Sequence, residues 1–154
     1  MRWDEKNPLQ AGGTKMAETH RGKCLCEKVR FTATGPMRGV IYCHCTQCRR
    51  QTGHFVASTN VPNDRLKVSG VENLRWFQSS DEAKRGFCAN CGSVLFWKMD
   101  SLDYTSILAG AFDAPSGLVA DKHIFVADKG DYYEIDDGLP QFEKSSADIK
   151  VAGS

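Results

Sequence analysis

No run of this chain comes near the roughly 18 consecutive apolar residues of a membrane-spanning helix, and its start lacks the apolar core and cleavage site of a secretory signal. Charge is nearly balanced: the formal net charge of +1 gives no global reason to bind nucleic acid or an anionic membrane. Internal repeats, low-complexity tracts and any sustained helical period are also missing, which excludes solenoids and helix bundles. These absences set the expectation of a cytoplasmic, soluble protein. With 154 residues, 41% of them hydrophobic, the chain has the size of one compact domain. An even cysteine count is lacking too. There are seven, each in a close C-x-C or C-x-x-C grouping, which is the pattern of reduced, metal-ligating thiols rather than of a disulfide framework.

Those cysteines organise the rest. Residues 42–53 read Y-C-H-C-T-Q-C-R-R-Q-T-G and place Cys43, Cys45 and Cys48 within six positions. In an extended strand, residues i and i+2 face the same side, so Cys43 and Cys45 can address one point while a turn brings Cys48 round to it. His44 then points away from both sulfurs. A structural zinc takes four protein ligands, whereas a catalytic zinc keeps one position for water or substrate. Three local thiols therefore suggest an open site, unless a fourth ligand such as His44 or His54 closes it. Cys24/Cys26 and Cys88/Cys91 together make one complete four-sulfur set. Spacing leaves open a different division, in which Cys24/Cys26 share an ion with Cys43/Cys45.

Along the chain, residues 1–19 read as a poorly ordered leader, residues 20–143 as the domain and residues 144–154 as a flexible tail. Val29, Phe31 and Ala33 alternate with polar residues as in a half-buried strand. Further short strands are expected at 39–43, 55–61, 66–68, 74–77, 84–87, 93–97, 104–108 and 123–126, with one helical turn at 46–51 closed by Gly53. Short strands with turns every eight to twelve residues imply an all-β domain. The 139–142 segment, Leu-Pro-Gln-Phe, is expected to dock back on it. Trp76, Phe77, Phe87, Phe96 and Trp97 read first as core and second as pocket walls.

Charge is unevenly placed. Residues 21–50 hold seven Lys or Arg against Glu27 alone, whereas residues 100–138 hold nine acidic residues against two lysines. The cations either balance anionic sulfur clusters or bind an anionic ligand. Asp128, Asp131, Glu134, Asp136 and Asp137 read as a solvated face, and His20 and His123 are given no catalytic role.

Three blocks carry a resemblance: residues 22–31 (GKCLCEKVRF), 43–53 (CHCTQCRRQTG) and 87–96 (FCANCGSVLF). In order and spacing they resemble the glutathione-dependent formaldehyde-activating enzymes, a family that shares its domain with centromere protein V. The likeness spans about residues 21–142. One departure is Glu27, where the family pattern usually has glycine. The resemblance implies an all-β, zinc-bound β-tent of short strands in two or more antiparallel sheets. It implies two Zn²⁺ per chain: a structural ion on Cys24, Cys26, Cys88 and Cys91, and a more labile one on Cys43, Cys45 and Cys48, the residues expected to carry the chemistry. The implied partners are a small-molecule thiol, glutathione as co-substrate, and an aldehyde, with no nucleic acid and no membrane; a homo-oligomer is left open. The implied reaction is a carbon–sulfur lyase reaction that forms or cleaves S-hydroxymethylglutathione, and Arg49 or Arg50 is expected to pair with a glutathione carboxylate. The alternatives are a related enzyme using another thiol or small electrophile, and a non-catalytic zinc-binding β module for a protein partner.

Overall fold

The computed structural model describes residues 18–146, so the expected leader and tail lie almost wholly outside the described residues. Ten strands and one α-helix follow each other as β1 (Thr19–Lys23), β2 (Arg30–Thr34), β3 (Val40–Cys43), α1 (Thr46–Thr52), β4 (Val56–Pro62), β5 (Leu66–Ser69), β6 (Leu74–Gln78), β7 (Ala83–Cys88), β8 (Val94–Met99), β9 (Tyr104–Leu108) and β10 (Ala120–Ile124). The fold is all-β, as expected. Three strands form a small sheet in the order β1-β2-β5, and seven form a large open one in the order β10-β3-β4-β9-β8-β7-β6. No helix among the described residues is long and apolar enough to cross a membrane.

Most strand positions follow from alternation, and three features do not. The first is β1, whose sequence Thr-His-Arg-Gly-Lys has no apolar alternation. It is held by backbone pairing with β2, and Gly22 lets it sit so close that a side chain there would overlap the Phe31 ring. The second is β10, expected at 123–126 but found at Ala120–Ile124, because Phe125 turns into the left-handed region at φ 55° and ends the strand. Third, β10 runs parallel to β3, so the large sheet is mixed rather than purely antiparallel. The 139–142 segment docks back through its backbone, the His123 N–H donating to the Pro140 carbonyl (2.8 Å) and the Phe142 N–H to that of His123 (3.0 Å).

Two local conformations shape the cysteine turns. Glu27 adopts φ 65°, the region where a side chain is strained and glycine is favoured. That is the physical basis of the departure noted in the sequence, and here Lys23 (2.6 Å) and Arg30 (3.0 Å) hold the Glu27 carboxylate. Gly53, at φ 82°, caps α1 by donating its N–H to the Arg49 carbonyl.

The hydrophobic core lies between the sheets. Val29, Phe31 and Ala33 come from the small-sheet side, and Val61, Leu95, Phe96 and Ile107 from the large sheet. Phe31 meets Phe96 edge to face with ring centroids 5.6 Å apart, and burying a phenyl ring of this kind stabilises the fold by about 2–3 kcal/mol. Of the expected core aromatics, Phe96 is buried, but Trp76 and Phe77 are exposed on the edge strand β6. Alternation along β4 sends Thr59 and Val61 to the core and Ser58 and Asn60 to the opposite face. The other face of the large sheet is therefore lined differently, and it holds a cavity.

Two cysteine clusters and a cavity

The first cluster sits in the seam between the sheets. The sulfurs of Cys24, Cys26, Cys88 and Cys91 all lie within 4.8 Å of one another, with Cys24–Cys26 at 3.6 Å and Cys26–Cys88 at 3.7 Å. Four sulfurs at about 2.3 Å from a tetrahedral ion would be separated by about 3.8 Å, so the geometry fits a four-thiolate metal site. Backbone N–H groups point at these sulfurs, as Val29 does to Cys24 at 3.3 Å. Ser93, first through its hydroxyl and then through its backbone, draws the Cys91 thiol down to about 5. The sulfurs of Cys24/Cys26 thus lie with those of Cys88/Cys91 and not with those of Cys43/Cys45.

The second cluster is built as the sequence suggests. Cys43 ends β3, Cys45 caps α1 by accepting the Cys48 N–H at 3.4 Å, and Cys48 is buried on the helix. Their three sulfurs also lie within 4.8 Å. Sharing of protons among them holds the Cys45 thiol far below its ordinary value, as Cys43 and then Cys48 donate to it, and pushes Cys43 up. A compact set of three thiols is a suitable donor set for a soft divalent cation.

No histidine joins either group of sulfurs. His44 does point away from them: it is fully buried, bonded through Nδ1 to the Tyr133 hydroxyl and through Nε2 to His123 Nδ1 at 2.8 Å. His123 Nε2 in turn lies 2.8 Å from Asp137 Oδ2. Burial, followed by the neighbouring His123, pushes His44 down to about 4. His54 is exposed and bonds Tyr132 at 2.9 Å. This Tyr133–His44–His123–Asp137 chain escapes sequence reasoning: Asp137 is exposed, as expected of a solvated face, yet it also holds the buried His123. The one local signal was a histidine inside the apolar stretch His123–Val126.

The three-sulfur cluster forms part of the wall of a cavity of about 900 Å³. None of the four cysteines in the seam lines it. In the register of the sheet, Val56 lies opposite Cys43 and Ile124 beside it, so the cluster has an apolar floor. Two cations line the cavity, Arg38 and Arg85, and the sequence reading singled out neither. Arg85 is 7% exposed and fans its guanidinium over α1: Nη1 donates to the Cys48 sulfur (3.6 Å) and to Gln51 Oε1 (3.2 Å), and Nη2 to Gln47 Oε1 (3.2 Å). Arg49 is half-buried on a different side of α1, close enough to act on the Tyr133 phenol, and Arg50 is exposed. Neither lines the cavity.

With this geometry in place, comparison with known proteins is specific. The sequence profile of the glutathione-dependent formaldehyde-activating enzymes matches residues 19–128, a span that includes all seven cysteines. The chain belongs to the glutathione-dependent formaldehyde-activating enzyme family. An uncharacterized lyase of Schizosaccharomyces pombe is 30% identical over 122 residues, covering 75% of this chain and 84% of the relative. The crystal structure of a Rhodobacter sphaeroides protein is similar with a TM-score of 0.52 and 26% identity, covering 65% of this chain and 97% of the other. Membership of the formaldehyde-activating family and a relative named as a lyase support a glutathione-related, lyase-type function.

Proposed function

We propose that the protein is a zinc-dependent carbon–sulfur lyase acting on glutathione adducts, forming or cleaving S-hydroxymethylglutathione. The observation that carries this reading is the contrast between the clusters: four thiols closed in the seam, and three thiols on the wall of a cavity. Cys24, Cys26, Cys88 and Cys91 would hold a structural ion, and Cys43, Cys45 and Cys48 a second one. When bound there, Zn²⁺ supplies an open coordination position and a positive charge that favour a thiolate near neutral pH and polarise a carbonyl oxygen.

The chain's own residues supply the rest. Val56, Ile41 and Ile124 keep the floor beside Cys43 apolar, which strengthens every charge interaction at the cluster. Arg85 sets a cation against Cys48, offsetting the negative charge that another thiolate would add. In the forward direction the thiol gives up its proton, its sulfur bonds to the aldehyde carbon, the carbonyl π pair moves to oxygen, and that oxygen takes up one proton, so that none is gained or lost overall. The reverse breaks the same carbon–sulfur bond. The addition needs little beyond positioning and thiolate formation, both of which a sulfur cluster on a cavity wall can supply.

The test is the zinc-to-protein ratio of freshly purified protein, measured alongside the triple Cys43→Ser, Cys45→Ser, Cys48→Ser variant and a glutathione titration of each. Two equivalents falling to one, with glutathione binding lost, are the expected result. One equivalent unchanged by the substitutions, with no glutathione binding, would overturn the enzyme reading in favour of a zinc-stabilised binding module.

A further inference from the structure

Asn60 occupies an unusual place. It lies inside β4, the third strand of the seven-stranded sheet, and asparagine is depleted in strands because its side chain packs poorly there. Polar groups on the core face of this region are satisfied: Thr59 donates to the Arg38 carbonyl at 2.5 Å and Thr105 to Asn63 Oδ1 at 2.7 Å. On the cavity face, the side chains of Asn60, Ser58 and Ser106 form no hydrogen bond with any described residue. Asn60 and Ser106 are direct cross-strand partners. A central strand that places unpaired donors and acceptors toward a cavity departs from fold-stabilising choices where a ligand would complete them.

Their position fixes what the ligand group could be. Val56 is the register partner of Cys43, and Asn60 is four residues further along β4, about 13 Å away. In a γ-glutamyl thiol, the arm from sulfur to the α-carbon of the glutamyl head runs through seven bonds and extends roughly 9 Å. A hydrogen bond at its end brings the span to about 12 Å. That head carries a carboxylate and an ammonium. Charges of both signs line the same cavity: Arg38, whose Nη2 reaches the Ser58 carbonyl at 3.5 Å, and Asp103, next to Tyr104 at the far end of β9.

We infer that Asn60 and Ser106, with Arg38 and Asp103 beside them, form a subsite for the α-amino-acid head of a γ-glutamyl thiol, so that the site selects its thiol by the end remote from sulfur. This rests on the thiol-adduct reading above and adds a specificity determinant to it. The full-length, zinc-loaded protein and its Asn60→Val variant are titrated calorimetrically with glutathione, γ-glutamylcysteine and cysteinylglycine, with zinc content measured in each. Wild type should bind γ-glutamylcysteine within about threefold of glutathione and cysteinylglycine roughly 30-fold more weakly, because only the last lacks the head. Asn60→Val should weaken the two γ-glutamyl thiols roughly tenfold and leave cysteinylglycine unchanged. Equal wild-type affinity for cysteinylglycine and γ-glutamylcysteine would overturn the subsite, as would an Asn60→Val variant that weakens all three thiols alike or none. If no thiol binds the wild-type holoprotein, the lyase reading fails and the subsite with it; if glutathione binds but the variant makes no distinction, the subsite alone fails.

Discussion

The Arg85 guanidinium lies 3.6 Å from the Cys48 sulfur, joining β7 to the helix that follows β3. In the strand order β3 and β7 are four strands apart, about 19 Å across a flat sheet. Contact between Arg85 and α1 therefore requires the sheet to curl, and the helix closes over the curl to make the cavity. Arg85 is thus both the latch of α1 and the cation of the three-sulfur site.

Replacing Arg85 with leucine removes a buried charge-assisted contact and leaves Gln47 and Gln51 without their donor, a loss of roughly 2–3 kcal/mol. The expected outcome is a second metal equivalent bound at least tenfold more weakly while the first is retained, with Arg85→Lys recovering part of the difference. Competition with a chelating dye, read at both equivalents, checks this. Equal weakening of both ions would remove the specific link to Cys48.

The two clusters should differ in what their loss does. Cys24, Cys26, Cys88 and Cys91 join the β1–β2 turn to the β7–β8 turn, and binding energy at a structural zinc site is folding energy, on the order of 10 kcal/mol. Cys88→Ser should leave the chain largely unfolded by circular dichroism, whereas the triple serine variant of Cys43, Cys45 and Cys48 should stay folded and lose only one ion.

Arg49 and Arg50 stand outside the cavity lining and Arg38 within it. Arg38→Ala should therefore weaken glutathione binding by about tenfold, and the double Arg49→Ala, Arg50→Ala variant by clearly less. Titration of both against wild type decides the matter. A larger loss in the double variant would return these two arginines to the carboxylate-binding role that the sequence suggested.

His44→Ala removes the partner of the buried His123 Nδ1 and of the Tyr133 hydroxyl, which should lower stability by roughly 2–4 kcal/mol without changing the number of ions bound. The His44 ring in the folded chain titrates near 4, below the 6.5 of a free imidazole, so the unfolded chain takes up the proton first. Its contribution is complete above about pH 6.5 and is lost as pH falls toward 4. Denaturant melts of wild type and variant across that range should converge at the acid end; parallel curves would contradict the assignment.

Much of this architecture was legible in local sequence. Cysteine spacing grouped Cys43, Cys45 and Cys48 and marked Cys24/Cys26 and Cys88/Cys91 as pairs, i,i+2 alternation placed β2, and the Cys43–His44–Cys45 order already turned the histidine away from the sulfurs. Gly53 marked the end of α1 through a conformation that glycine adopts at little cost. The sequence by itself determined these things because each depends on residues within one strand or turn.

Only tertiary structure decided the rest. Which cysteine pairs share a site, the parallel docking of β10 on β3, the latch from Arg85 to a helix 37 positions earlier, and the His44–His123 contact across 79 positions all join segments remote in sequence. No local period encodes such pairings. They are set by how the sheets curl and pack, since burial of one shared core fixes at once which faces, charges and thiols meet.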